Sequence, residues 1–277
     1  MAKTGVRRII LLTLGYEDLP RSVSIYGAPP EQRMLEPTPG VLLEVDGGWV
    51  MLDTGFNAAI VRDPGMSRRF YPDPSFYRPV LTVGDDEDPI EYELERVGLS
   101  LDDITAVGIS HLHHDHSGGI KHFAGRVPIH MQRKELEHGL TGGHYPTGDA
   151  LIRVDYDDRR IDWKLADGEE EIAPGITAIP TYGHTPGNQS FMVELDGSVG
   201  GGGFVFAFDA ADLTENIEQE LPLGGFVGDD PEITLEPIRR LKAIAQEKGY
   251  RLIPGHDPVV WPALTEEMAR RFAVASV

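Results

Sequence analysis

The stretch Thr105-Ala106-Val107-Gly108-Ile109-Ser110-His111-Leu112-His113-His114-Asp115-His116-Ser117-Gly118-Gly119 decides how this chain is read. An apolar strand, Thr105–Ser110, runs directly into four histidines and an aspartate packed within six residues. Imidazoles and a carboxylate crowded this closely make sense when a divalent cation holds them, because both are ligands for zinc and similar ions. The bland alternative is a solvated polar loop or a partly satisfied histidine cluster. His-x-His-x-Asp-His is specific enough to set that alternative aside.

Six residues cannot complete two metal shells, so further ligands are expected at the ends of other strands. His184 sits in Tyr182-Gly183-His184-Thr185-Pro186-Gly187 after Ile176–Ile179, Asp209 ends Phe204–Phe208, and His256 follows Arg251–Ile253 within Pro254-Gly255-His256-Asp257. Each follows an apolar strand and lies at a turn, where the backbone can aim a side chain into a cleft. Singly each reads as structural; together with the cluster their order is far more specific.

Composition narrows what such a site can be. The 277 residues hold no cysteine, which removes disulfides, thiolate nucleophiles and sulfur-based metal sites, so any metal sits on nitrogen and oxygen. Lys and Arg total 25 against 45 Asp and Glu, a formal charge of -20 that repels phosphate backbones and argues against a nucleic-acid partner. Apolar residues at 40% suffice for a sizeable core, and one domain spanning 1–277 is expected. The apolar run Ile9–Leu12 is too short for a signal segment and nothing approaches a membrane span, so no membrane partner and a cytoplasmic location are expected.

Further strands are expected at Val41–Val45, Trp49–Leu52, Val127–Met131 and Ser190–Leu195. Helices are expected at Asp88–Val97, Gln132–His138 and Pro231–Lys248, the last placing Ile238, Leu241 and Ala245 on one face. Gly200–Gly203 reads as a hairpin turn, and Asn57–Asp86 and Gly139–Asp158 as long irregular stretches of the kind that form lids or binding loops. Strands in two groups with helices outside them fit an α+β protein of two packed sheets.

At this point the chain resembles the metallo-β-lactamase superfamily, with its His-x-His-x-Asp-His signature followed by separate His, Asp and His ligands. The resemblance implies a four-layer αβ/βα sandwich of two mixed sheets and a site for two divalent ions, zinc by expectation. By it His111, His113 and His184 would hold one ion, Asp115, His116 and His256 the other, and Asp209 would bridge them. The Asp53-Thr54-Gly55 turn also resembles the superfamily's, so Asp53 would orient a ligand histidine. Within the superfamily the chain is most similar to N-acyl-homoserine lactonases, from about Pro39 to His256, through Ser110–Gly119, His184–Ser190 and Phe208–Asn216.

Two positions depart from that family. Where the lactonases typically carry a tyrosine that contacts the substrate carbonyl this chain has Asp212, and His114 stands where a phenylalanine commonly lines the acyl pocket. The reaction implied is hydrolytic opening of a lactone ring by a metal-bridging hydroxide, on an N-acyl-homoserine lactone or related γ-lactone. Asp115 and Asp212 are the candidate catalytic carboxylates. Asp115 either shuttles a proton or serves only as a ligand, and Asp212 either binds a cationic or hydroxylated substrate group or caps a helix at Leu213–Glu220. His114, Met34, Phe70 and Phe226 are candidates for contacting substrate, though the aromatic segment Phe70–Tyr77 would equally suit a homodimer contact, and monomer and homodimer both stay open. His122, His130, His138 and His144 are assigned to no site. The competing readings are another hydrolase of the same fold, acting on thioesters, aryl esters or phosphotriesters, and a non-catalytic metal-binding module.

Overall fold

Alternating and doubly apolar runs pair into two sheets. The first holds β1 (Arg8–Pro20), β2 (Arg33–Val45), β3 (Gly48–Leu52), β4 (Arg78–Val80), β5 (Ile104–Gly108), β6 (Pro128–Gln132) and β7 (Asp162–Ala166), in the order β4-β1-β2-β3-β5-β6-β7. The second holds β8 (Glu170–Ala173), β9 (Ile176–Pro180), β10 (Gln189–Glu194), β11 (Gly203–Phe206) and β12 (Arg251–Ile253), in the order β12-β11-β10-β9-β8. Both are mixed: β3, β5, β6 and β7 run parallel to one another and β11 is parallel to β12, while the other pairings are antiparallel. This computed structural model describes residues 5–141, 150–225, 227 and 230–272.

The helices are α1 (Ala58–Arg62), α2 (Pro64–Phe70), α3 (Pro89–Arg96), α4 (His114–Ser117), α5 (Arg133–Thr141), α6 (Thr214–Gln219), α7 (Leu235–Lys248) and α8 (Val260–Arg271). Leu11, Leu43, Val50 and Leu52 of the first sheet meet Ile176, Phe191, Val193 and Phe206 of the second in one apolar layer. On the outer face of the first sheet, Leu42, Met51 and Val107 pack on Ile90 and Leu94 of α3. On the outer face of the second, Val205 and Ala207 pack on Leu235, Ile238, Leu241 and Ala245 of α7. Helix, sheet, sheet, helix is the expected four-layer sandwich. Both sheets are covered on both sides, which is why their strands read as apolar runs rather than clean alternations.

Helix boundaries follow local chemistry. Asp88 caps α3 by accepting from Ile90 N, with Pro89 in the first turn, and α7 stops at Gly249, whose φ of +67° suits a left-handed C-cap. The glycines at 200, 201 and 202 all have positive φ and close the β10–β11 connection, as expected.

The structure adds elements that the sequence pattern did not suggest. Residues 57–86 are not wholly irregular: Asn57 and Asp63 cap the short α1 and α2, and Arg78–Val80 adds an edge strand to β1. Helix α8 buries Trp261, Leu264 and Met268 into the layer between the sheets. Within Gly139–Asp158, residues 142–149 lie outside the described residues. No helix of the described residues is long and apolar enough to cross a membrane.

Candidate metal centre

The ends of β3, β5, β9, β11 and β12 meet along one edge of the sandwich. Gln189 clamps the sheets there: its N–H donates to Ser110 O at 2.9 Å and its side-chain amide to Ile109 O at 2.8 Å. The chain leaves β5 through His111 and His113 and turns at once into α4, whose tight exit needs Gly118 and Gly119. A Cβ on Gly118 would stand 2.1 Å from Asn57 N, and one on Gly119 2.5 Å from Thr54 O. His184 lies in the turn closed by Thr181 N donating to Asn188 O, and His256 N donates to Asp212 O, tying the His256 turn to the one after β11. Phe208, just before Asp209, and Asp53 both adopt left-handed backbone, with φ of +46° and +54°. Such strain in non-glycine residues persists where the surrounding packing over-determines it, commonly at functional sites.

Two groups of donor atoms result. One atom from each of His111, His113 and His184 lies within 4.8 Å of the others, and so does one from each of Asp115, His116, Asp209 and His256. His184 Nε2 is 2.9 Å from His113 Nδ1, and His116 Nε2 is 2.8 Å from Asp115 Oδ2. Asp209 spans the two groups. Its Oδ2 faces His111 Nε2 at 3.8 Å and His184 Nε2 at 3.3 Å, while Oδ1 faces His116 Nε2 at 3.0 Å and His256 Nε2 at 2.9 Å.

Burial pushes His111, His113 and His184 below the ordinary imidazole range, so they are neutral with lone pairs available, the form that binds a metal. His111 Nε2 is buried without a hydrogen-bond partner. Burial acts the same way on His116 and His256, but Asp115 and Asp209 beside the first and Asp209 and Glu17 beside the second outweigh it and raise both. Burial opposes ionisation of Asp209 and Asp115 too, yet the facing imidazoles hold both below the usual carboxylate range. Three neutral imidazoles, two more that hold protons only because carboxylates face them, and two ionised carboxylates converge in a buried site. A cation taking the place of those protons suits this donor set, and the residues therefore fit divalent cations.

Asp53 lies behind His116: its Oδ2 is 2.7 Å from His116 Nδ1, and its Oδ1 accepts from Ser110 N at 2.7 Å. A buried glutamate with no signal in the sequence ties the two histidine loops together. Glu135 accepts from Leu112 N at 2.9 Å, Thr185 Oγ1 at 2.7 Å and Gly187 N at 3.0 Å.

A narrow pocket opens beside the two groups. His114 lines it, flanked by Phe56, Tyr71 and Tyr77 at ring distances of 5.8, 5.1 and 5.0 Å, and burial pushes its pKa down to about 4. It is thus an uncharged ring, closer to an aromatic wall than to a cation. Asp212 also lines the pocket and does not cap the following helix: Asn216 Oδ1 accepts from Leu213 N, and Asp257 Oδ2 from Thr214 N. Phe70 is not among the lining residues but packs directly behind them, in an apolar cluster with Leu19, Phe56 and Tyr77. Met34 is half-buried opposite the pocket-lining Leu19 on the β1–β2 ribbon but is not itself among the lining residues, and Phe226 and His144 lie outside the described residues. Tyr77, the last residue of the aromatic segment Phe70–Tyr77, lines the pocket, and Glu17 and Glu36 line it without having been singled out. His122 pairs with Asp88, and His130 approaches Glu170, both remote from the site.

The pattern of the metallo-beta-lactamase superfamily matches residues 35–256, and the chain belongs to that superfamily. Its relatives are lactonases, and like them it is a metal-dependent hydrolase. An N-acyl homoserine lactonase of Bacillus thuringiensis is 34% identical over 216 residues, covering 78% of this chain and 79% of that protein. The N-acyl homoserine lactonase AttM of Azorhizobium caulinodans is 30% identical over 239 residues, covering 82% and 84%. Among solved structures, an N-acyl homoserine lactone hydrolase with the product N-hexanoyl-L-homoserine bound at its catalytic metal centre superposes with a TM-score of 0.79 at 29% identity, covering 94% of this chain and 97% of that one.

Proposed function

We propose that this protein is a dinuclear metal-dependent lactonase that opens N-acyl-homoserine lactones or closely related γ-lactones. The observation that carries the proposal is Asp209, whose two oxygens face two separate groups of ligand atoms. His111, His113 and His184 would hold one divalent ion, Asp115, His116 and His256 the second, and Asp209 would bridge them, with zinc the metal expected on nitrogen and oxygen ligands. Ions bound there would polarise an ester carbonyl and lower the pKa of water from 15.7 toward about 7. The substrate class comes from the relatives, which are named for it.

The chain's own groups complete the reaction. Asp115 directs Oδ2 at His116 and Oδ1 toward His114 Nδ1, 3.6 Å away at the pocket wall. That geometry supports Asp115, beyond its part as a ligand, as the carboxylate that takes a proton from the attacking water and returns it to the departing alkoxide. Asp53 fixes the His116 ring through Nδ1, leaving Nε2 to face Asp115 and Asp209. The aromatic rings around His114 keep that side of the site dry, which strengthens each electrostatic contact within it.

The test is proton release followed by pH-stat when zinc-loaded protein meets N-hexanoyl-homoserine lactone, with a chelator-treated sample as control. Acid release that disappears on chelation is expected. Equal rates with and without metal, or no release from any γ-lactone, would overturn the proposal.

A further inference from the structure

Three carboxyl groups outside the seven proposed ligands, Glu17, Glu36 and Asp212, face the pocket. Glu17 and Glu36 are direct cross-strand partners in the β1–β2 ribbon, on one face, and are 6% and 1% exposed. Like charges placed opposite each other destabilise a strand pair, and burying them adds a desolvation penalty. Packing alone gives no reason for them. Glu17 accepts from Tyr77 Oη, and both oxygens of Glu36 lie near Ser24 Oγ, at 2.7 and 2.9 Å. Asp212 differs from both. It is 5% exposed, lines the pocket, and its Oδ1 is buried with no hydrogen-bond partner. No lysine or arginine stands among the described lining residues; the basic group nearest these carboxyls is His256, whose Nδ1 is 3.6 Å from Glu17 Oε2.

A buried acceptor without a donor carries an uncompensated desolvation penalty. That cost is recovered when a ligand supplies the donor, and a site built this way rejects analogues that lack it. We infer that Asp212, backed by Glu17 and Glu36, is a substrate-recognition group: it accepts a hydrogen bond from an N–H or O–H near the reacting carbonyl, so the pocket selects lactones and esters bearing such a donor over those bearing only hydrocarbon. Amide, ammonium and hydroxyl groups share this chemistry. A wall of carboxyl groups without lysine or arginine disfavours a carboxylate or phosphate at the same place. The inference takes its reacting ring from the lactonase proposal, but the recognition step does not depend on turnover.

The test is therefore first a binding measurement. Calorimetry on the metal-loaded protein compares two lactams that cannot be opened as esters, 3-amino-1-methyl-2-pyrrolidinone and 1,3-dimethyl-2-pyrrolidinone, whose methylated ring nitrogens carry no N–H. At least tenfold tighter binding of the amino compound is expected, falling to parity in Asp212→Leu, with Asp212→Asn retaining part of the preference because its amide oxygen still accepts. Should Asp212→Leu fail to fold, Glu36→Gln is expected to narrow the preference at least threefold. Equal affinities in the wild type, or a preference untouched by these substitutions, overturn the inference. Hydrolysis of the corresponding lactones separates the two ideas. Metal-dependent opening of both at equal rates discards the donor subsite and keeps the lactonase; a lactam preference lost in Asp212→Leu, with no lactone opened, keeps the subsite and discards the lactonase. Replacing the amino group by hydroxyl and by acetamido identifies which donor is favoured.

Discussion

Asp53 and His116 lie 2.7 Å apart, carboxylate Oδ2 to imidazole Nδ1, and neither is exposed at all. The contact joins the end of β3 to α4 across 63 residues of chain and fixes which nitrogen of His116 faces the site.

Asp53→Asn therefore weakens metal binding without dismantling the fold. Asparagine tolerates the positive φ at this position, and losing a carboxylate behind a ligand histidine lowers affinity about 10–100-fold. Competition with a chromophoric chelator measures the change. Undiminished affinity would show that Asp53 holds the turn and nothing more.

Glu135→Ala leaves Leu112 N, Thr185 Oγ1 and Gly187 N without their acceptor, all in buried surroundings. Unsatisfied buried donors cost about 1–3 kcal/mol each, so urea unfolding of chelated protein is expected to show a loss of about 3 kcal/mol or more. The same substitution frees the loop of His111 and His113 from that of His184, and metal stoichiometry should fall with stability. A loss under about 1 kcal/mol contradicts this account.

Asp155 makes the fold respond to pH. Burial raises its pKa to about 7, against the partial relief given by Asn57 and Lys121. The unfolded chain releases this proton near pH 4, the native one only near 7, so between those values the native state binds more protons and stability falls as pH rises. Asp155→Asn removes the effect. Its melting temperature should exceed that of the wild type more at pH 8 than at pH 4, with chelator present in both; a difference independent of pH contradicts the assignment.

Much of the site was legible because ligand chemistry is local. His111, His113, Asp115 and His116 fall within six residues, and His184, Asp209 and His256 each follow a strand whose apolar run marks its end. Four of the five strands of the second sheet were legible for the same reason: both faces of β9, β10 and β11 are buried and their composition shows it, whereas the edge strand β8, Glu170–Ala173, opens on two glutamates and left no such mark. The pocket was far less legible. Glu17 sits in the half of β1 where Gly15, Glu17 and Asp18 break the apolar pattern, and the register shift between Thr13 and Gly15 interrupts its periodicity. Phe70 and Met34 look like pocket residues by type, but their direction is set by how α2 and the β1–β2 ribbon pack.

By itself the sequence determined the residues able to hold metal, the layered class of the fold and the absence of sulfur chemistry, because these follow from residue type and short spacing. Only the tertiary structure decided that Asp209 has one oxygen for each group, that Glu135 ties the two histidine loops, and that Glu17, Glu36 and Asp212 share one wall. Those relations join segments far apart in the chain, and burial, which gives each carboxyl its chemistry, exists only once the two sheets have closed.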